Sequence, residues 1–214
     1  MAAVSWKNPV TANWTTGSDW SSGTPPLPAD DVTIGVAGSY TVSVTTAISV
    51  NSITLSDVNA LLAITAPGLT DAVAKNFANS GFVYVDQSGT GGTTLTIGGT
   101  LTNQGTLIIG NSGITKATTV TVAAVTNSNV LAIQSGSAAA ALKVAGGFNN
   151  TGTLEVDYLG TGGGSLTISG TLTNSGNLYI GGTGLTKATT VRAASLANTG
   201  TIYMNEGTGA AATA

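Results

Sequence analysis

Apolar side chains recur at alternate positions in short runs, and the runs themselves recur at a fixed spacing. Val83/Val85, Leu107/Ile109, Leu131/Ile133, Leu154/Val156, Leu178/Ile180 and Ile202/Met204 each turn every second residue to one side, as a strand with one buried face requires. A second alternating set, Leu95/Ile97, Leu142/Val144 and Leu166/Ile168, lies upstream. Between the two sets stands an asparagine: Asn79, Asn103, Asn127, Asn150, Asn174 and Asn198, separated by 24, 24, 23, 24 and 24 residues. Two residues before each is an apolar side chain (Phe77, Leu101, Val125, Phe148, Leu172, Leu196), and two after come Gly81, Gly105, Asn129, Gly152, Gly176 and Gly200. Glycine adopts positive φ freely and Asn tolerates it, so this last column predicts a left-handed turn.

A unit of this size cannot bury its apolar side alone, but stacked units form a continuous core with neighbouring backbones about 4.8 Å apart. The expected fold is therefore all-β: a β-solenoid with coils of about 24 residues, about nine of them and roughly 45 Å long. An inward Asn at the same corner of every coil predicts an amide ladder that satisfies polar groups the core would otherwise penalise.

A longer period is superimposed on the first. Shifting the chain by 71 residues, or three coils, aligns "GITKATTV" at Gly113 with "GLTKATTV" at Gly184, "DQSGTGG" at Asp86 with "DYLGTGG" at Asp157, and "QSGSAAAA" at Gln134 with "NEGTGAAA" at Asn205. The sequence stops at Ala214, where this register calls for another strand. It reads as part of a longer repeating polypeptide, or as a last coil left open for another molecule to cover. Residues 32–214 are expected to form the solenoid, irregular to about residue 70 and regular from about 71. Residues 1–31 hold all three Trp (Trp6, Trp14, Trp20) and "GTPPLPADD", and are expected to cap the first coil against exposed strand edges.

The opening "NWTTGSDWSSGTPPLPADDVTI", leading into coils of the form "L-T-N-x-G-x-L-x-I", resembles the N-terminal region of bacterial autotransporter-type passengers and large repetitive exoproteins. The resemblance implies a right-handed parallel β-helix at the cell surface or outside the cell, and it carries no catalytic motif. The implied function is a non-enzymatic rigid stalk or adhesive surface for cell attachment or matrix formation. Two alternatives stay open: a self-assembling filament or surface-layer subunit joined through solenoid ends, and a carbohydrate-binding or polysaccharide-degrading β-helix.

Composition narrows the chemistry. The chain has no Cys and no His, which removes thiol nucleophiles, imidazole bases, disulfides and zinc sites of the common kinds. No enzyme activity, cofactor or metal is expected. Charged residues make up 7% of the chain, with six Lys and Arg scattered singly along it; phosphate backbones need clustered bases, so no nucleic-acid partner is expected. Mean hydropathy is +0.31, yet no apolar run approaches the ~18 residues of a spanning helix. The N-terminus lacks the basic and apolar regions of a Sec signal, so export would use another route or a segment not present here.

The remaining candidates lie in loops and outward columns. Asp86 and Asp157, three coils and roughly 14 Å apart, cannot share a metal and read as solvated loop residues. Asp30-Asp31 reads as a turn before the first strand, Lys116 and Lys187 as loop lysines, and the "GTGG" stretches as flexible loop. Outward Thr columns raise ice binding, which Lys143 and Arg192 interrupt. Five residues after each Asn runs an outward column of Tyr84, Ile108, Ala132, Glu155, Tyr179 and Tyr203. Tyr84, Tyr179 and Tyr203 either contact a surface glycan or a host or matrix protein, or cover neighbouring strands.

Overall fold

The computed structural model describes residues 2–205 and the backbone of 212–213. These form a parallel β-solenoid of about eight coils. One sheet stacks nine strands, from Ala12–Asn13 to Thr201–Met204, and the other thirteen. Among the described residues the only helical turn is the 3₁₀ segment Gly17–Asp19.

A regular coil is built from the sequence as follows. The strand Thr94–Asn103 carries Leu95, Ile97, Leu101 and Asn103 inward and is kinked between Ile97 and Thr100, where its register to the next coil shifts. Asn103 then turns the chain into Thr106–Gly110, which sends Leu107 and Ile109 into the core from the second sheet. Thr118–Asn127, Ser165–Asn174 and Thr189–Asn198 repeat the kinked strand. The intervening coil divides it into Ala140–Val144 and Phe148–Asn150. Like stacks on like: Leu101 aligns with Val125, Phe148, Leu172 and Leu196. The core runs unbroken from Val4 to Val191, each Leu or Val contributing about 1.5–3 kcal/mol by leaving water. Among Phe77, Leu101 and Val120 an interior void measures about 10 Å³, room for no more than about one water.

The glycine after each Asn serves a different purpose from the expected one. Gly81, Gly105, Gly152 and Gly176 do not have positive φ. A Cβ on Gly105 would instead lie 2.0 Å from the carbonyl oxygen of Gly81, and one on Gly176 2.0 Å from that of Gly152. Close approach of successive coils, not handedness, selects glycine here. Asn129, the exception, donates its side-chain amide to Gln104 O at 3.3 Å.

At the N-terminal end, Ala3–Ser5 pairs with Asp31–Ile34 and brings the Trp segment onto the first coil. Trp20 lies edge-on to both Trp6 and Trp14, each at 4.8 Å between ring centres, and donates Nε1 to Trp14 O at 2.7 Å. Asp30 accepts from the Leu27 amide at 2.9 Å, while Asp31 accepts from the Asn51 and Ser52 side chains. Those bonds, the Ser52 one first, hold the Asp31 carboxyl below its ordinary pKa. At the other end Leu196 is 54% exposed, although Leu172 one rung earlier is buried. Of the loop "NEGTGAAA" expected from Asn205, residues 206–211 lie outside the described residues.

Candidate functional site

Three polar or aromatic arrangements stand out against this apolar frame. The first is the Asn corner. Asn79 donates Nδ2 to Asn103 Oδ1 at 2.7 Å, Asn103 to Asn127 at 2.7 Å, Asn127 to Asn150 at 2.8 Å, Asn150 to Asn174 at 2.7 Å and Asn174 to Asn198 at 2.7 Å. Each amide also reaches backbone carbonyls, as Asn103 does to Gly105 and Val130. In the two coils before Asn79, Leu55 and Ile34 fill this column. From Asn79 to Asn174 the ladder is a structural joint whose amides are taken up within the stack.

The second arrangement overturns the solvated-loop reading of Asp86 and Asp157, since both are fully buried. They stand at positive φ, 55° each, in a column where Gly110 (76°) and Gly181 (78°) are also left-handed; Asp is among the few residues that enter this region. The turn aims the carboxylate inward. Asp86 accepts from Thr93 N at 2.9 Å, Thr93 Oγ1 at 2.8 Å and Thr118 Oγ1 at 2.7 Å. Asp157 accepts from Ser135 N at 2.8 Å, Gly164 N at 2.7 Å and Thr189 Oγ1 at 2.7 Å. Both tie the loops of adjoining coils together. The "GTGG" stretches are equally constrained: a Cβ on Gly162 would meet Lys187 O at 2.1 Å. Lys187 itself donates Nζ to Ser137 O.

Asp71 is a buried carboxylate that sequence reasoning missed. It heads the inward column continued by Leu95, Val120, Leu142, Leu166 and Val191. One oxygen accepts from Ile48 N at 2.9 Å, and the other has no partner. Burial pushes its pKa up to about 6, with the Asp86 charge adding and the Ile48 bond opposing. Alternation in "TDAV" was the available signal, because it places Asp71 and Val73 on one side.

The third arrangement is the outward column of the nine-stranded sheet. Pairing aligns Tyr84, Ile108, Ala132, Glu155, Tyr179 and Tyr203 in one file. It brings Tyr179 and Tyr203 together and leaves Tyr84 four rungs from Tyr179, against Phe82 at 6.2 Å. The Tyr179 and Tyr203 rings stack at 4.7 Å, within 6° of parallel. Tyr158 joins them from the loop after Asp157, 5.2 Å from Tyr179. The residue order "DY" signals this only once Asp157 is known to turn inward. Tyr158, Tyr179, Gly181, Tyr203, Met204 and Asn205 line an open groove of about 250 Å³. Glu155, next in the file, has its pKa raised by burial. The arrangement offers aromatic edges, hydroxyls and an amide to a partner, and no nucleophile beside a base.

Among the described residues no group of three or more Asp or Glu could hold a metal ion, and no helix is long and apolar enough to cross a membrane. No family model matches the chain, and no curated protein or solved structure is significantly similar to it.

Proposed function

We propose that this chain is a non-enzymatic structural segment of a bacterial secreted or cell-surface protein, a rigid stalk whose side carries an adhesive patch. The supporting observation is the unbroken parallel pairing of nine strands in one sheet, reinforced by the Asn ladder. Nine strands at 4.8 Å spacing span about 38 Å, and such a stack resists bending because each coil is bonded to both neighbours. The resemblance of the N-terminal segment to autotransporter-type passengers supports the surface location. The Tyr158–Tyr179–Tyr203 cluster is the adhesive patch in this reading, with a glycan or matrix protein as its partner. Small-angle X-ray scattering tests the stalk: an elongated particle of fixed cross-section is expected, and a compact or flexible one would overturn it. Incubation with polysaccharides tests the absence of activity, since any depolymerisation would contradict it.

Self-association is the second reading: the parallel pairing that stacks each coil on the next is the same contact by which two copies would join end to end. Sedimentation velocity across a concentration series separates the two. Growth into filaments supports assembly through the solenoid end, and a constant monomer supports the stalk.

A further inference from the structure

The basic residues are scattered in the sequence, but the fold gathers half of them. On the thirteen-stranded sheet one outward file reads Ala72, Thr96, Thr121, Lys143, Thr167 and Arg192. Lys143 and Arg192 are exposed and two rungs apart, about 10 Å. Lys75 is exposed at the kink of the Asn79 coil, three rungs, about 14 Å, before Lys143. Across the kink a second file reads Ala78, Thr102, Thr126, Asn149, Thr173 and Ala197. Between the files the surface is depressed. One depression of about 270 Å³ is lined by Thr121, Lys143, Ala145, Thr167 and Ser169, and another of about 480 Å³ includes Lys75, Asn76 and Thr102.

Carboxylates are missing from this face over the same length. Between residues 70 and 198 the acids are Asp71, Asp86, Glu155 and Asp157. Three are buried, and Glu155 lies on the opposite sheet. Asp31 borders the second depression together with Lys75, whose charge acts on it after the Ser52 and Asn51 bonds, so that end of the face carries both signs. Among the described residues, Lys143 and Arg192 therefore stand on this face with no carboxylate beside them in a chain of net charge -3, while Lys75 shares its end of the face with Asp31.

We propose that this crease binds an acidic polysaccharide laid along the solenoid axis, with Lys143 and Arg192 meeting spaced carboxylates and the Thr, Ser and Asn files meeting hydroxyls. Two isolated cations are too few for nucleic acid, whose binding rests on clustered bases along the phosphate backbone. The face also lacks an outward aromatic for stacking bases. Hydroxyl-rich rungs match a polyhydroxylated chain, and Arg and Lys make charge-assisted bonds to its carboxylates. This site is separate from the Tyr cluster and stands whether or not the rod serves as a stalk.

Calorimetric titration of the full chain with polygalacturonate, alginate and hyaluronate, against dextran and oligothymidylate, tests it. At least one acidic glycan is expected to bind saturably, and to bind more weakly as salt rises. Dextran and oligothymidylate are expected not to bind. The double variant Lys143→Gln/Arg192→Gln, which alters exposed groups only, is expected to lower the affinity roughly tenfold, whereas Tyr179→Ala leaves it unchanged. Failure of all three acidic glycans, equal binding of dextran, tighter binding of oligothymidylate, or an unaffected double variant would each overturn the proposal.

Discussion

Two corners of the same coil bury polar side chains, and they do so by opposite rules. The Asn corner repeats in every coil from Asn79 to Asn198, because a neutral amide is donor and acceptor at once and so bonds to copies of itself. The Asp corner occurs only at Asp86 and Asp157, three coils apart. An ionised carboxylate only accepts, so a file of them would repel and leave every oxygen without a donor. Each Asp instead needs neighbouring loops that supply hydroxyls and amides, such as Thr93 and Thr118 around Asp86. Self-complementarity therefore sets the short period, and the need for dedicated donors sets the long one.

Removing an Asp corner is the most damaging way to probe this difference. Asp86→Ala strands the Thr93 amide and the Thr93 and Thr118 hydroxyls in the interior, and is expected to cost about 3–5 kcal/mol, read as a lower urea midpoint. Asp71 gives the contrasting case, a buried carboxylate whose surroundings do not supply enough donors. Its folded pKa of about 6 lies above the ordinary 3.8, so it costs no stability below about pH 4, progressively more between about pH 4 and 6, and a constant amount above that. Asp71→Asn is expected to match the parent at pH 4 and to be about 3 kcal/mol more stable at pH 8. Urea unfolding at the two pH values reads this directly, and a gain of equal size at both would contradict it.

Within the Asn ladder, position decides the loss. Asn127→Ala breaks the bonds to Asn103 and Asn150 at once and is expected to cost about 2–3 kcal/mol. Asn198→Ala removes an exposed rung bonded to a neighbouring rung only at Asn174, and is expected to cost about 0.5–1 kcal/mol. Equal losses at the two positions would show that the ladder is not cooperative along the stack.

The stacking of the solenoid was legible because it rests on sterics that repeat. Inward pairs such as Leu107/Ile109 and the Asn spacing specify strand, corner and register together. What the sequence concealed depends on where a backbone turn aims a side chain. Asp86 reads as a loop residue until its column, which exchanges Asp for Gly at Gly110 and Gly181, is recognised as left-handed. The same exchange at a fixed offset of seven residues after each Asn was the available sign. The glycines after the Asn column were legible as necessary, but not for their reason, because the approach of Gly81 O to Gly105 exists only between coils. The basic face was hidden likewise: Lys143 and Arg192 are 49 positions apart in the chain and become neighbours only through Thr167.

The claim that donor and acceptor balance separates the two corners is tested most directly by Asn127→Asp, unfolded in urea at pH 8 and pH 4 beside the parent. Ionised, the new side chain accepts from Asn103 but cannot donate to Asn150, and a loss of about 3 kcal/mol is expected at pH 8. Protonated, it regains one donor, and most of that loss is expected to vanish at pH 4. A variant as stable as the parent at pH 8, or equally weakened at both pH values, would contradict the account.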